Sequence, residues 1–123
     1  MRSARLDNGR HWDAVVARWQ EAHLHSLWRT HSDAVNRVLC DGWVSQGDVR
    51  RVLKTDMFDE ATSAGLLPVF QSAGGSLVGI DLSVVTVQAA RSRYPDSQLV
   101  VGDVCHLPFA AAAFEAIVSN STL

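Results

Sequence analysis

Two aspartates carry the strongest chemical signal in this 123-residue chain. Asp81 closes the apolar run Leu77-Val78-Gly79-Ile80, and Asp103 closes Leu99-Val100-Val101-Gly102. A carboxylate at the end of a buried strand presents two oxygens that match the vicinal hydroxyls of a ribose. A second carboxylate one strand later can accept from the exocyclic amino group of a base, and the backbone N–H after it can donate to a ring nitrogen. The pair therefore suits an adenosine-like ligand lying across two adjacent strands. The competing reading makes each aspartate a helix or turn cap, a position that Asp favours.

The other reactive side chains form no comparable group. His23 and His25 stand two apart on a helix, point in different directions and cannot share a metal. His11 and His31 have no Cys or acid at ligand spacing, and Cys40 and Cys105 are isolated, so no metal site is expected. Two cysteines make no disulfide framework; they fit reduced thiols in a cytoplasmic protein. His106 follows Asp103 closely, but nothing pairs with it in sequence, and a solvated or core histidine is the plainer reading than a general base. Trp12, Trp19, Trp28 and Trp43 lie at helical spacing, which reads as packing, with lining of a substrate pocket as the other possibility.

Composition narrows the classes. Hydrophobic residues make 47% of the chain and charged residues 20%, as in a globular domain rather than a disordered segment. Eleven basic residues face 13 acidic ones, for a net charge of −2, which argues against a nucleic-acid partner. No run approaches the ~18 apolar residues of a membrane span. The start, Met1 to Asp7, is charged with no apolar core behind it, unlike a secretory signal.

The elements that must position the aspartates follow from periodicity. Trp12, Val15, Val16, Trp19, Ala22, Leu24 and Leu27 predict a helix over residues 12–28. A second helix, capped by His31 or Ser32, carries the apolar stripe Ala34, Val35, Val38 and Leu39 and stops at Asp41-Gly42, with Trp43 folding back on it. After Gln46-Gly47-Asp48 the pattern changes. Strands are expected at 51–54, 77–81, 99–103 and 114–119. A helix starting after Asp56 passes through Phe58, Ala61 and Thr62, is interrupted by Gly65 and Pro68, and ends at Gly74-Gly75. Ser83 caps another, with Val84, Val87, Ala89 and Ala90 turned inward. This alternation predicts an α/β fold, a parallel sheet covered by helices on both faces. Residues 1–47 form a helical lead-in and residues 48–123 the sheet domain.

The phrases around the two acids resemble a known family. Leu77 to Ser83, Gly102-Asp103-Val104 leading into Leu107-Pro108-Phe109, and Phe114 to Asn120 are similar to class I S-adenosylmethionine-dependent methyltransferases, over about residues 51–123. The resemblance implies a Rossmann-like sheet whose first four strands lie in the order 3-2-1-4. It implies S-adenosylmethionine as cofactor, with Asp81 on the ribose hydroxyls, Asp103 and the backbone of Val104 on the adenine, and Leu82 packed on base or sugar. The methyl acceptor is expected to be a small molecule that the sequence does not identify, and the charge balance and hydropathy above point to neither nucleic acid nor membrane as partner. Such transfer needs no nucleophilic side chain, so no catalytic residue is named.

Two departures qualify the resemblance. The loop after the first strand, Lys54-Thr55-Asp56-Met57-Phe58-Asp59-Glu60, has no glycine where the family has an acid and then glycines, and Lys54 occupies the acid's place. It looks like a variant in which Asp56 faces the cofactor's ammonium and Thr55 lines the loop; Asp56 as a plain helix cap is the other reading, and the two are compatible. The family's sheet has seven strands, whereas four are expected here. The expectation is then a methyltransferase or the N-terminal part of one, with the exposed fourth-strand edge open to self-association. The alternative is a non-catalytic module that acts by packing against another chain. A nicotinamide enzyme is disfavoured, since residues 54–60 lack the Gly-x-Gly-x-x-Gly turn.

Overall fold

Short aliphatic runs pair into strands because each can bury both faces only inside a sheet. They form β1 (Arg51–Lys54), β2 (Ser76–Asp81), β3 (Gln98–Val101) and β4 (Ala116–Val118). In this computed structural model, which describes residues 2–22, 26–44, 50–72 and 74–119, the four strands make one parallel sheet. Their order is β3-β2-β1-β4, as the resemblance implied. The helices around it are α1 (Arg2–Ala22), α2 (Ser26–Val44), α3 (Phe58–Thr62), α4 (Leu67–Ser72) and α5 (Val84–Arg93). Among the described residues no helix is long and apolar enough to cross a membrane.

The register puts Val52 beside Leu77, Lys54 beside Gly79, and Gly79 beside Leu99. Side chains alternate along a strand, so Val52, Lys54, Leu77, Gly79, Asp81 and Leu99 share one face. Two buried clusters lie on it: Val52 and Leu77 with Leu66, Leu67 and Phe70, and Leu99 with Met57, Val87 and Ala90. Gly79 is needed there for its missing side chain, because a Cβ would lie 2.1 Å from Met57 Sδ and 2.9 Å from its Cγ. Gly79→Ala is expected to cost about 1–3 kcal/mol by overpacking. A thermal melt checks this, and an unchanged midpoint would contradict the packing described.

Turn chemistry worked largely as expected. Ser83 caps α5 by accepting from the Thr86 N–H at 3.1 Å. Gly65 and Gly74 take the left-handed backbone, φ +65° and +76°, that interrupts and ends the α3–α4 segment. Val84 is exposed rather than turned inward, since α5 buries Thr86, Val87 and Ala90 instead.

The N-terminal helices correct several expectations. The chain is helical to Ala22 and again from Ser26, so His31 and Ser32 lie inside α2 rather than at its start, and α2 continues through Asp41-Gly42 to Val44. A single interior Gly costs only about 1 kcal/mol, which a long helix tolerates. The apolar stripe of α2 also faces the other way: Val35, Val38, Leu39 and Trp43 are exposed, as is Trp12 on α1. The reason is polar. Asp33 accepts from the Ser63 hydroxyl, Arg37 Nε donates to the Gly65 carbonyl at 3.2 Å, and Cys40 packs on the Val52–Phe70 cluster. These contacts tie α2 to the segment between α3 and α4 and give the buried Asp33 and the Gly65 carbonyl their partners. The side chains of Trp19, Ala22, Leu27 and Trp28, and residues His23, Leu24, His25, Gln46 to Asp48 and Asn120 to Leu123, lie outside the described part, as do Met1 and the side chains of Arg2 to Leu6.

Candidate functional site

Ends of parallel strands point the same way, so β1, β2 and β3 deliver their carboxyl ends to one rim. Asp81 terminates β2 there. Its Oδ2 accepts from the Met57 N–H at 2.8 Å and its Oδ1 from the Ser83 N–H at 2.9 Å. Burial raises its pKa, against those two N–H groups, which lower it; Asp56 adds to the rise. The residue is half-buried. Each carboxylate oxygen has two acceptor directions, so one N–H on each leaves capacity for a ligand's hydroxyls.

Asp103 arrives beside it. The Gly102 N–H donates to the Asp81 carbonyl at 2.9 Å, which sets the following residue next to the β2 end. Asp103 caps a single 3-10 turn, Val104–His106, accepting from the Cys105 N–H at 2.9 Å. Its other oxygen lies 3.7 Å from His106 Nδ1. Both aspartates therefore do cap turns at one end of the sheet: Asp81 at the last position of β2, and Asp103 two residues beyond β3, which stops at Val101 rather than running on to the acid. Leu82 and Val104 are half-buried beside them.

The loop after β1 completes the rim. The Thr55 N–H donates to the Val118 carbonyl at 3.0 Å, and its hydroxyl lies 3.4 Å from the same oxygen. Asp56 does not cap α3; Met57 holds the cap position and no side chain bonds there. The Asp56 carboxylate instead sits 3.5 Å from Lys54 Nζ. An ammonium at the end of β1 attracts it more strongly than the partial charge at the start of a five-residue helix.

Two residues emerge that spacing did not single out for the site. Asp13 of α1 accepts from the Ser83 hydroxyl and, at 3.1 Å, from the Val85 N–H. That carboxylate seats α1 on the first turn of α5, directly over the Asp81–Ser83 turn, and Gly9 lies against the Leu82 carbonyl. No local pattern announces a contact between residues 70 apart in sequence. The other is Lys54, fully buried and facing Asp56, Asp59 and Glu60. The acids at two, five and six residues after it were the available signal. Among the described residues no group of His, Cys, Asp and Glu could hold a metal ion.

A family model described as a methyltransferase domain matches residues 61–123. No curated protein matches the chain. The matched stretch contains Asp81, Leu82, Asp103 and Val104, and leaves Thr55 and Asp56 outside it.

Proposed function

The chain belongs to the methyltransferase-domain family, and from that premise we propose that it binds S-adenosylmethionine at the rim formed by β1, β2 and β3 and transfers its methyl group to a small molecule. The observation that carries the reading is that Asp81, at the end of β2, and Asp103, two residues past the end of the neighbouring β3, stand at one end of the sheet. Asp81 accepts from the ribose hydroxyls. Asp103 accepts from the adenine amino group, and the Val104 N–H donates to the ring. Leu82 supplies an apolar wall. Asp56, already beside one ammonium, faces that of the cofactor's amino-acid end, and Thr55 lines the turn. When bound, the cofactor supplies an electrophilic methyl on a positive sulfur. The chain's contribution is orientation and exclusion of water. Two free cysteines accord with a reducing compartment such as the cytoplasm.

Calorimetric titration with S-adenosylmethionine and S-adenosylhomocysteine tests this. Binding in the micromolar range supports it. Asp81→Ala is expected to weaken binding by about 1.5–3 kcal/mol, the range for a hydrogen bond to a charged group. Unchanged affinity in a folded variant would remove Asp81 from the site. A second reading, a non-catalytic module that packs against another protein or a second copy, draws on the exposed Ile117 of β4 and the exposed apolar stripe of α2. A folded protein that gives no heat with either ligand favours it.

A further inference from the structure

Lys54 is among the largest fully buried side chains of the described residues, and it is charged. Its Nζ donates to the Asp56 carbonyl at 2.8 Å and lies 2.8 Å from Glu60 Oε1, 3.5 Å from Asp56 Oδ1 and 3.8 Å from Asp59 Oδ2. The Glu60 contact is poorly aligned for a directed hydrogen bond and acts chiefly by charge. The directed bond goes to the loop backbone. That loop must turn from β1 into α3 with no glycine between residues 54 and 60.

Three successive residues are then tied down. Lys54 holds the Asp56 carbonyl, the Thr55 N–H holds Val118, and the Met57 N–H reaches Asp81 Oδ2. With no exposed surface, Lys54 cannot touch a ligand. We propose that Lys54 is a positioning residue for the cofactor site: its ammonium fixes the Thr55–Met57 turn so that the Met57 N–H orients the Asp81 carboxylate and the Asp56 carboxylate stays at the rim. The proposal rests on the reading of Asp81 as a cofactor ligand. A buried cation thus does by attachment what glycines achieve elsewhere by leaving room.

The test compares Lys54→Met/Glu60→Gln with Glu60→Gln alone, because removing the cation while Glu60 stays ionisable endangers the fold. Amide hydrogen exchange is read in the ligand-free protein. The Met57 amide is expected to exchange at least tenfold faster in the double variant, while Leu53 and Ile80 in the strands keep their rates. Calorimetry with S-adenosylhomocysteine is expected to show about tenfold weaker binding. Unchanged Met57 exchange in a folded double variant overturns the proposal. So does a double variant that fails to fold, since Lys54 would then hold the sheet rather than the turn. Faster Met57 exchange with unchanged affinity also overturns it, because the turn would not matter to the ligand. If neither the wild type nor Glu60→Gln binds S-adenosylhomocysteine, the cofactor reading falls, while the exchange data still decide whether Lys54 positions Met57.

Discussion

Lys54→Met alone is expected to remove about 3–5 kcal/mol of unfolding free energy, the cost of breaking a buried ion pair from one side. Methionine fills similar volume, so the loss is electrostatic rather than a cavity. Three carboxylates within 4 Å of the missing ammonium would face one another in a space where Asp59 and Glu60 are almost wholly shielded from water. Typical domains have only about 5–15 kcal/mol to lose. Glu60 can relieve part of the strain by taking a proton, as buried charges do when uncompensated. The deficit is therefore expected to be larger at pH 8 than at pH 5.5. Urea unfolding followed by circular dichroism measures both, and a variant within about 1 kcal/mol of the wild type at pH 8 would mean that the cluster is not the buried ion pair described.

The second large effect is the pH dependence of the wild type. Burial drives the Glu60 carboxyl up from 4.5 to about 7, with Asp59 pushing the same way and Lys54 and the Leu66 N–H opposing. One ammonium facing three carboxylates leaves surplus negative charge, and the most deeply buried acid sheds it by holding its proton. A carboxyl that binds a proton more tightly in the folded than in the unfolded chain favours folding at low pH. Its contribution declines as pH rises from about 4.5 through about 7 and is flat above that. The full change is on the order of 3 kcal/mol. Glu60→Gln keeps the shape and removes the titration. The difference in stability, variant minus wild type, should therefore grow between pH 5 and pH 8. In the wild type burial pulls the Lys54 pKa down, but Glu60, Asp56 and Asp59 together hold it above its ordinary value, so it stays charged there. A pH-independent difference would show that Glu60 is ionised across the whole range.

Much of the sheet was legible in advance because its signals are local. Leu77 to Asp81 and Leu99 to Val101 are short apolar runs bounded by turn residues, which read as strands of a parallel sheet, and Ser83, Gly65 and Gly74 act on the backbone beside them. The placement of Asp81 and Asp103 at the ends of neighbouring strands was legible through the strand order and the family phrases around them, although β3 stops at Val101, two residues before the acid. The lead-in was misread where contacts decide. Val38 and Leu39 looked like a core stripe, yet α2 is turned by Asp33, Arg37 and Cys40, whose partners lie far along the chain. Asp56 looked like a cap because Asp prefers that position, and a nearby ammonium outbid the preference.

From the order of its residues alone, then, this protein's strands, its turn residues and the two carboxylates at the strand ends were determined, since each depends on neighbours within a few positions. What the folded chain alone decided was where charge could be buried. Lys54 lies on the inward face at the end of β1, beside Gly79 in register, and α3 brings Asp59 and Glu60 to it. Ser83 met Asp13 of α1 in the same way. Electrostatic partners are set by distance through space, and distance through space exists only after the sheet and helices have packed.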